Sequence, residues 1–228
     1  MLKGLDLKLS VLLISIFFIS SVWSCKTSEK IVMKEGKKTE SVEKQDAPNW
    51  PYRASATKLH NLIHTRLDVS FDWQNKRLLG DAELTLKPHF NPTNKLYLNA
   101  RGMEISEVKI VKGDVKEELA YEYKNDSIFI TLDKFYSKLD TFKVYVNYIA
   151  KPDELPAGGS AAISEDKGLY FINADNSDPY KPQQIWTQGE TQASSVWFPT
   201  IDYTNQKTTQ EIYITVDTSF VTLSNGVL

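Results

Sequence analysis

A chain of 228 residues is long enough to bury a sizeable core, and 41% hydrophobic against 25% charged residues is an ordinary globular balance. A formal net charge of −2, with no basic face beyond the first fifty residues, excludes a nucleic-acid binder, because phosphate recognition needs clustered Lys and Arg in excess. With one cysteine, Cys25, an internal disulfide is excluded too.

In chain order, Lys3 and Lys8 precede an uncharged, mostly apolar run from Leu9 to Ser24 that ends at Cys25. That run is shorter than the roughly 18 apolar residues of a spanning helix, and its flanks are those of a secretory signal. Val22-Trp23-Ser24-Cys25 resembles a bacterial lipoprotein signal, in which the cysteine is lipidated and becomes the first residue of the mature protein. The resemblance implies a signal peptide over 1–24, lipidation of Cys25, and export to the cell envelope. The protein would be anchored there to a bacterial membrane by its lipid, on the periplasmic or surface side. Lys26 to Pro48 is rich in Lys and Glu and nearly free of aromatics. It cannot bury enough apolar surface to offset its ordering entropy, so residues 25–50 read as a flexible tether.

Over 51–228 the apolar pattern has a period of two. Leu67, Val69, Phe71 and Trp73 alternate with Arg66, Asp68, Ser70 and Asp72. The same alternation returns at Ala82, Leu84 and Leu86, then at Ile128, Ile130 and Leu132, at Phe142, Val144, Val146 and Tyr148, and at Ile212, Ile214 and Val216. Turn-like stretches separate them: Asn91-Pro92-Thr93-Asn94, Lys124-Asn125-Asp126, and Pro156 to Ser160. No stretch of helical length carries a 3.6-residue stripe. The pattern predicts an all-β domain, an antiparallel β-sandwich or saddle of many short strands. Val221 to Leu228 looks like a strand entering a hairpin turn at Ser224-Asn225-Gly226, as at the cut end of a longer domain.

His60-Asn61-Leu62-Ile63-His64 has the spacing of a helical zinc pair, but Asn61 stands where such a motif needs its glutamate. The segment also runs straight into a strand pattern, which would set the two histidines roughly 13 Å apart. These are expected to be polar residues leading into a strand, with His89 in a loop, and no metal site. Gly158-Gly159-Ser160 reads as a turn, with no following helix to present amides to an anion.

The informative stretch is Ile185 to Lys207, where Trp186, Trp197 and Phe198 surround Gln188, Glu190 and Gln192. From the residues alone, Trp197-Phe198-Pro199 is a core corner and Gln188 and Glu190 are solvated strand residues. The segment resembles the aminopeptidase N-like zinc metallopeptidases, the gluzincin aminopeptidases. That family carries a Thr-Gln-x-Glu element, a Trp-Phe-Pro-like corner and an Asp-x-Pro-x-x-Lys stretch. Here they read Thr187-Gln188-Gly189-Glu190, Trp197-Phe198-Pro199 and Asp202 to Lys207, with Thr204 in place of the proline. Gly80 and its strand, Lys167 to Phe171, and Ser224-Asn225-Gly226 extend the likeness over about residues 60 to 228.

The resemblance implies the N-terminal β domain of a zinc aminopeptidase acting on peptides with a free N-terminus. Glu190 would bind the substrate's α-ammonium, and Gln188 would shape the pocket for the first side chain. Zinc, held in the family by HExxH and a distant glutamate, would sit in a downstream catalytic domain, as would the Gly-Ala-Met-Glu-Asn loop. Neither motif occurs in these 228 residues. Two other readings stay open. One is a non-catalytic β lipoprotein that binds peptides or acts as a scaffold. The other is a carbohydrate-binding sandwich using Trp50, Trp73 and Trp186 as platforms.

Overall fold

The computed structural model describes residues 54, 56–156 and 167–227. Cys25, the apolar run before it, the 25–50 segment, Trp50 and the Gly158-Gly159-Ser160 turn lie outside the described residues. Among the described residues eleven strands form three sheets. The large sheet has the order β11-β1-β2-β8-β4-β5, from Thr209–Thr215 (β11), His60–Asp72 (β1), Arg77–Pro88 (β2), Phe142–Ala150 (β8), Met103–Lys112 (β4) and Val115–Glu118 (β5). A second sheet has the order β3-β7-β6, from Thr93–Asn99 (β3), Ser127–Tyr136 (β7) and Ala120–Lys124 (β6). Leu169–Ile172 (β9) and Gln184–Thr187 (β10) form a two-stranded antiparallel ribbon. Among the described residues there are two short 3-10 turns, Pro152–Glu154 and Ser194–Val196, and no α-helix.

The alternation does what the sequence predicts. Leu67, Ala82, Leu84, Leu86, Val144 and Val146 of the large sheet are buried in one cluster with Leu96, Leu98, Ile128 and Ile130 of the second sheet. The opposite face of the large sheet is polar. There Asp81 accepts from Asn147 at 2.8 Å and from the Tyr145 hydroxyl at 2.5 Å, and Glu83 pairs with Lys116 and Lys143, both at 3.3 Å. Gly80 is required by packing. A Cβ there would overlap the ring and hydroxyl of Tyr148, which faces it from β8 in register.

Three expectations need correction. The large sheet is mixed, because β11 pairs with β1 in parallel, Leu67 beside Ile212 and Val69 beside Ile214. A parallel neighbour needs a long crossover, and here the whole second sheet and the β9–β10 ribbon lie between the two strands in sequence. Alternation within a strand carries no information about its direction. The second correction is His60, which belongs to β1 itself and is buried, edge-on to Phe142 at 6.2 Å, with Nε2 unpartnered. The third is the tail. Val221 to Val227 lies outside any strand and is exposed, with no partner strand beside it among the described residues.

Candidate functional site

The Gln188–Glu190 element follows β10 directly, and its backbone is fixed at three places. Thr187 pairs with Leu169, and the Gln188 amide carries the ladder one step further by donating to the Gly168 carbonyl at 2.9 Å. Gly168 has φ of +67°, and a Cβ there would run into the Ala193 carbonyl oxygen, so the close approach of these two segments needs glycine. Next, the Ala193 amide donates to the Gly189 carbonyl at 3.0 Å, closing a turn around Glu190 and Thr191. A side chain on Gly189 would crowd the Ser194 hydroxyl.

The far side of the loop is tied to the end of β3. Asn99 and Thr200 exchange backbone hydrogen bonds at 2.7 and 3.0 Å, and the Arg101 amide donates to the Ser195 carbonyl at 2.7 Å. Asp202 is the staple: its Oδ2 accepts from the Ser195 amide at 2.9 Å, its own amide donates to Asn99 Oδ1 at 3.1 Å, and its carbonyl accepts from the Gln192 side chain at 3.0 Å. Phe198, Pro199 and Thr200 are buried beneath, so the Trp-Phe-Pro stretch is the expected core corner.

On this scaffold Gln188 is half-buried and Glu190 is exposed. Among the described residues the Glu190 carboxylate has no hydrogen bond and no ion pair. An acceptor-only group held on a fixed turn and left without a cation is free to take one from outside. A groove of about 560 Å³ lies against β10, lined by Phe71, Trp73, Trp186, Ile212, Ile214 and Phe220 among others. Thr187 reaches it, whereas Gln188 and Glu190 do not.

The remaining polar candidates are engaged structurally. His64 Nδ1 lies 2.7 Å from the Thr209 hydroxyl, and His89 packs on Phe90 at 4.0 Å. Among the described residues no group of three His, Cys, Asp or Glu side chains is placed to hold a metal ion. The described residues therefore do not fit a zinc site. Trp73 stacks on Phe220 at 5.0 Å and meets Phe171 edge-on at 5.8 Å, while Trp186 is partly exposed and stacks on Tyr170 at 4.4 Å.

Residues 60–228 match the model of the peptidase M1 N-terminal domain. The chain belongs to that family. Residues 60–228 are an M1-type N-terminal domain, as the family resemblance of the 185–207 stretch implies. Solved structures agree on the fold. A two-domain M1 zinc metallopeptidase variant bound to L-arginine superposes with a TM-score of 0.57 at 16% identity, over 72% of this chain and 34% of that one. The M1 zinc metallopeptidase from Deinococcus radiodurans gives 0.56 at 15% identity, over 69% and 32%. Leukotriene A4 hydrolase from Saccharomyces cerevisiae gives 0.51 at 20% identity, over 69% and 23%. No curated protein matches by sequence. The chain thus spans about a third or less of each solved relative's length.

The sequence pointed to Gln188 and Glu190 but not to what holds them. Gly168 and Asp202 were visible only as parts of family-like stretches. A glycine directly before an apolar strand, and a lone aspartate just past a buried aromatic corner, were the available signals.

Proposed function

We propose that this domain supplies the substrate-recognition edge of a zinc-dependent aminopeptidase, with Glu190 binding the free α-ammonium of a peptide and Gln188 bounding the pocket for its first side chain. The observation that carries the reading is the unpaired Glu190 carboxylate, presented on a turn that Gly168, Asn99 and Asp202 hold in place. An ammonium needs acceptors only, and a charge-assisted hydrogen bond in a partly dried cleft contributes about 1.5–3 kcal/mol. Fixing the ammonium also fixes the scissile carbonyl one residue away, so cleavage removes a single N-terminal residue.

In this reading the metal and the hydrolytic step belong to a separate catalytic domain, this domain's main partner, since among the described residues no group of three His, Cys, Asp or Glu could hold a metal ion. Two named neighbours support the peptide reading. One M1 zinc metallopeptidase structure holds L-arginine, and another holds a Tyr-Ser-Ala substrate at a TM-score of 0.52. Lipidation of Cys25 and tethering to a bacterial membrane are part of the same proposal and rest on the Val22–Cys25 sequence. The test is release of N-terminal residues from short peptides by the complete enzyme, assayed with and without a zinc chelator. Chelator-sensitive release from free peptides, and none from N-acetylated ones, is expected. Equal cleavage of both would remove the ammonium from recognition.

A further inference from the structure

The strands converge so that one end of the sandwich lies far from the Glu190 loop. His60 pairs with Pro88, Leu86 with Phe142, and Thr93 with Tyr136, which gathers the start of β1, the β2–β3 loop and the β7–β8 turn at one end. The site loop meets the opposite end of β3, at Asn99. Six steps along β3 at about 3.3 Å each put the two ends on the order of 20 Å apart.

At the end away from the site, Leu59, Phe90, Phe135 and Leu139 are 60%, 72%, 69% and 86% exposed. Ordered turns hold them out. The His89 amide donates to the Leu59 carbonyl at 2.8 Å, and Asp140 Oδ2 accepts from both the Ser137 amide and its hydroxyl at 2.7 Å, which presents Leu139 at the tip.

The charge at this end is also distinctive. Among the described residues every lysine but six forms an ion pair. The six are Lys58, Lys87, Lys95, Lys134, Lys138 and Lys207, and they sit on the segments that meet here. Lys58 brings the last of them in by donating to the Asn205 carbonyl at 2.7 Å. The nearby acids are mostly engaged: Lys112 holds Asp133 and Glu117 at 2.9 and 2.7 Å, and Asp140 caps its own turn, leaving Asp114 at the β4–β5 tip.

We propose that this end rests on an anionic lipid surface, with Phe90, Phe135 and Leu139 at headgroup depth and the lysines that form no ion pair against lipid phosphates. The chemistry favours lipid over a protein partner, because protein interfaces are depleted in lysine whereas lipid headgroups attract it at about 1 kcal/mol per residue. Apolar side chains flanked by lysines are also the composition of an interfacial contact. Residues 56–59 lead into β1 at this same end. Glu190 then faces away from the membrane. The inference needs neither lipidation of Cys25 nor the substrate reading.

The test uses the full chain with Cys25→Ser and a polarity-sensitive fluorophore on Leu139→Cys. A matched control carries the label on Lys124→Cys, at the β6–β7 turn of the opposite end. Both are titrated with phosphatidylcholine vesicles, with and without one-third phosphatidylglycerol. A blue shift at residue 139 only with phosphatidylglycerol, and none at 124, is expected. Adding Lys134→Glu and Lys138→Glu should weaken the response by roughly tenfold or more. Equal shifts at both positions, indifference to phosphatidylglycerol, or indifference to the charge reversals overturns the proposal. A shift at 139 with polyglutamate but not with vesicles also overturns it, in favour of an acidic protein partner.

Discussion

The Gln188 amide and the Gly168 carbonyl, 2.9 Å apart, join the Gln188–Glu190 element to the start of β9. The contact depends on Gly168 having no side chain, since a Cβ would collide with the Ala193 backbone and φ is positive. Gly168→Ala is therefore expected to destabilise the domain by about 1–3 kcal/mol. Urea unfolding followed by tryptophan fluorescence measures this directly. An unchanged midpoint would mean that the 188–196 loop is not locked to β9.

Asp202 closes the other side of that loop by accepting from the Ser195 amide and donating its own amide to Asn99. Asp202→Ala removes the carboxylate and leaves a part-buried amide unsatisfied. A loss of about 1–3 kcal/mol is expected, with faster amide exchange confined to residues 192–202. Hydrogen exchange read by mass spectrometry separates this local loosening from global unfolding.

Tyr148 is fully buried, its hydroxyl has no hydrogen-bond partner, and it faces Gly80. Gly80→Ala should cost about 1–3 kcal/mol by overpacking. Tyr148→Phe should be neutral or stabilising by up to about 1 kcal/mol, because it removes an unsatisfied group. In the double variant the two effects should couple, Tyr148→Phe recovering part of the Gly80→Ala loss, since the hydroxyl is one of the overlapping atoms. Thermal unfolding of the four proteins tests this.

Burial without a hydrogen-bond partner lowers the His60 pKa from 6.5 to about 4. Above pH 6.5 the ring is neutral in both folded and unfolded chains, and its contribution to stability is fully present. As pH falls from 6.5 towards 4 the unfolded chain takes up a proton that the folded one refuses, so stability drops through that window by up to about 3 kcal/mol. In His60→Leu this component of the pH dependence should vanish. Denaturant unfolding at several pH values across the window checks it, and an unchanged slope would place the titration elsewhere.

Much of the fold is legible in the sequence because burial writes itself into a strand every second residue. Leu67-x-Val69 and Val144-x-Val146 need no neighbours to be read, whereas the parallel pairing of β1 with β11 depends on the route between them. The burial of His60 escapes a local reading for a related reason. Its place on the core side follows from the β-bulge between Leu62 and His64, where the Gln206 side chain accepts from the Leu62 amide at 3.0 Å and donates to the His60 carbonyl at 3.1 Å. That contact spans more than 140 residues and leaves no local trace. At the site, Gln188 and Glu190 could be named from their motif, but their support from Gly168, Asn99 and Asp202 exists only once three segments meet.

The claim that a peptide's α-ammonium is taken by Glu190 is tested most directly in the complete enzyme, by comparing wild type with Glu190→Gln. The substrates would be a free dipeptide analogue and its N-acetylated counterpart. A fall of about tenfold to a hundredfold in kcat/KM for the free amine, with the acetylated compound left uncleaved by both proteins, is the expected result. Equal kinetics for wild type and Glu190→Gln on the free amine would contradict it.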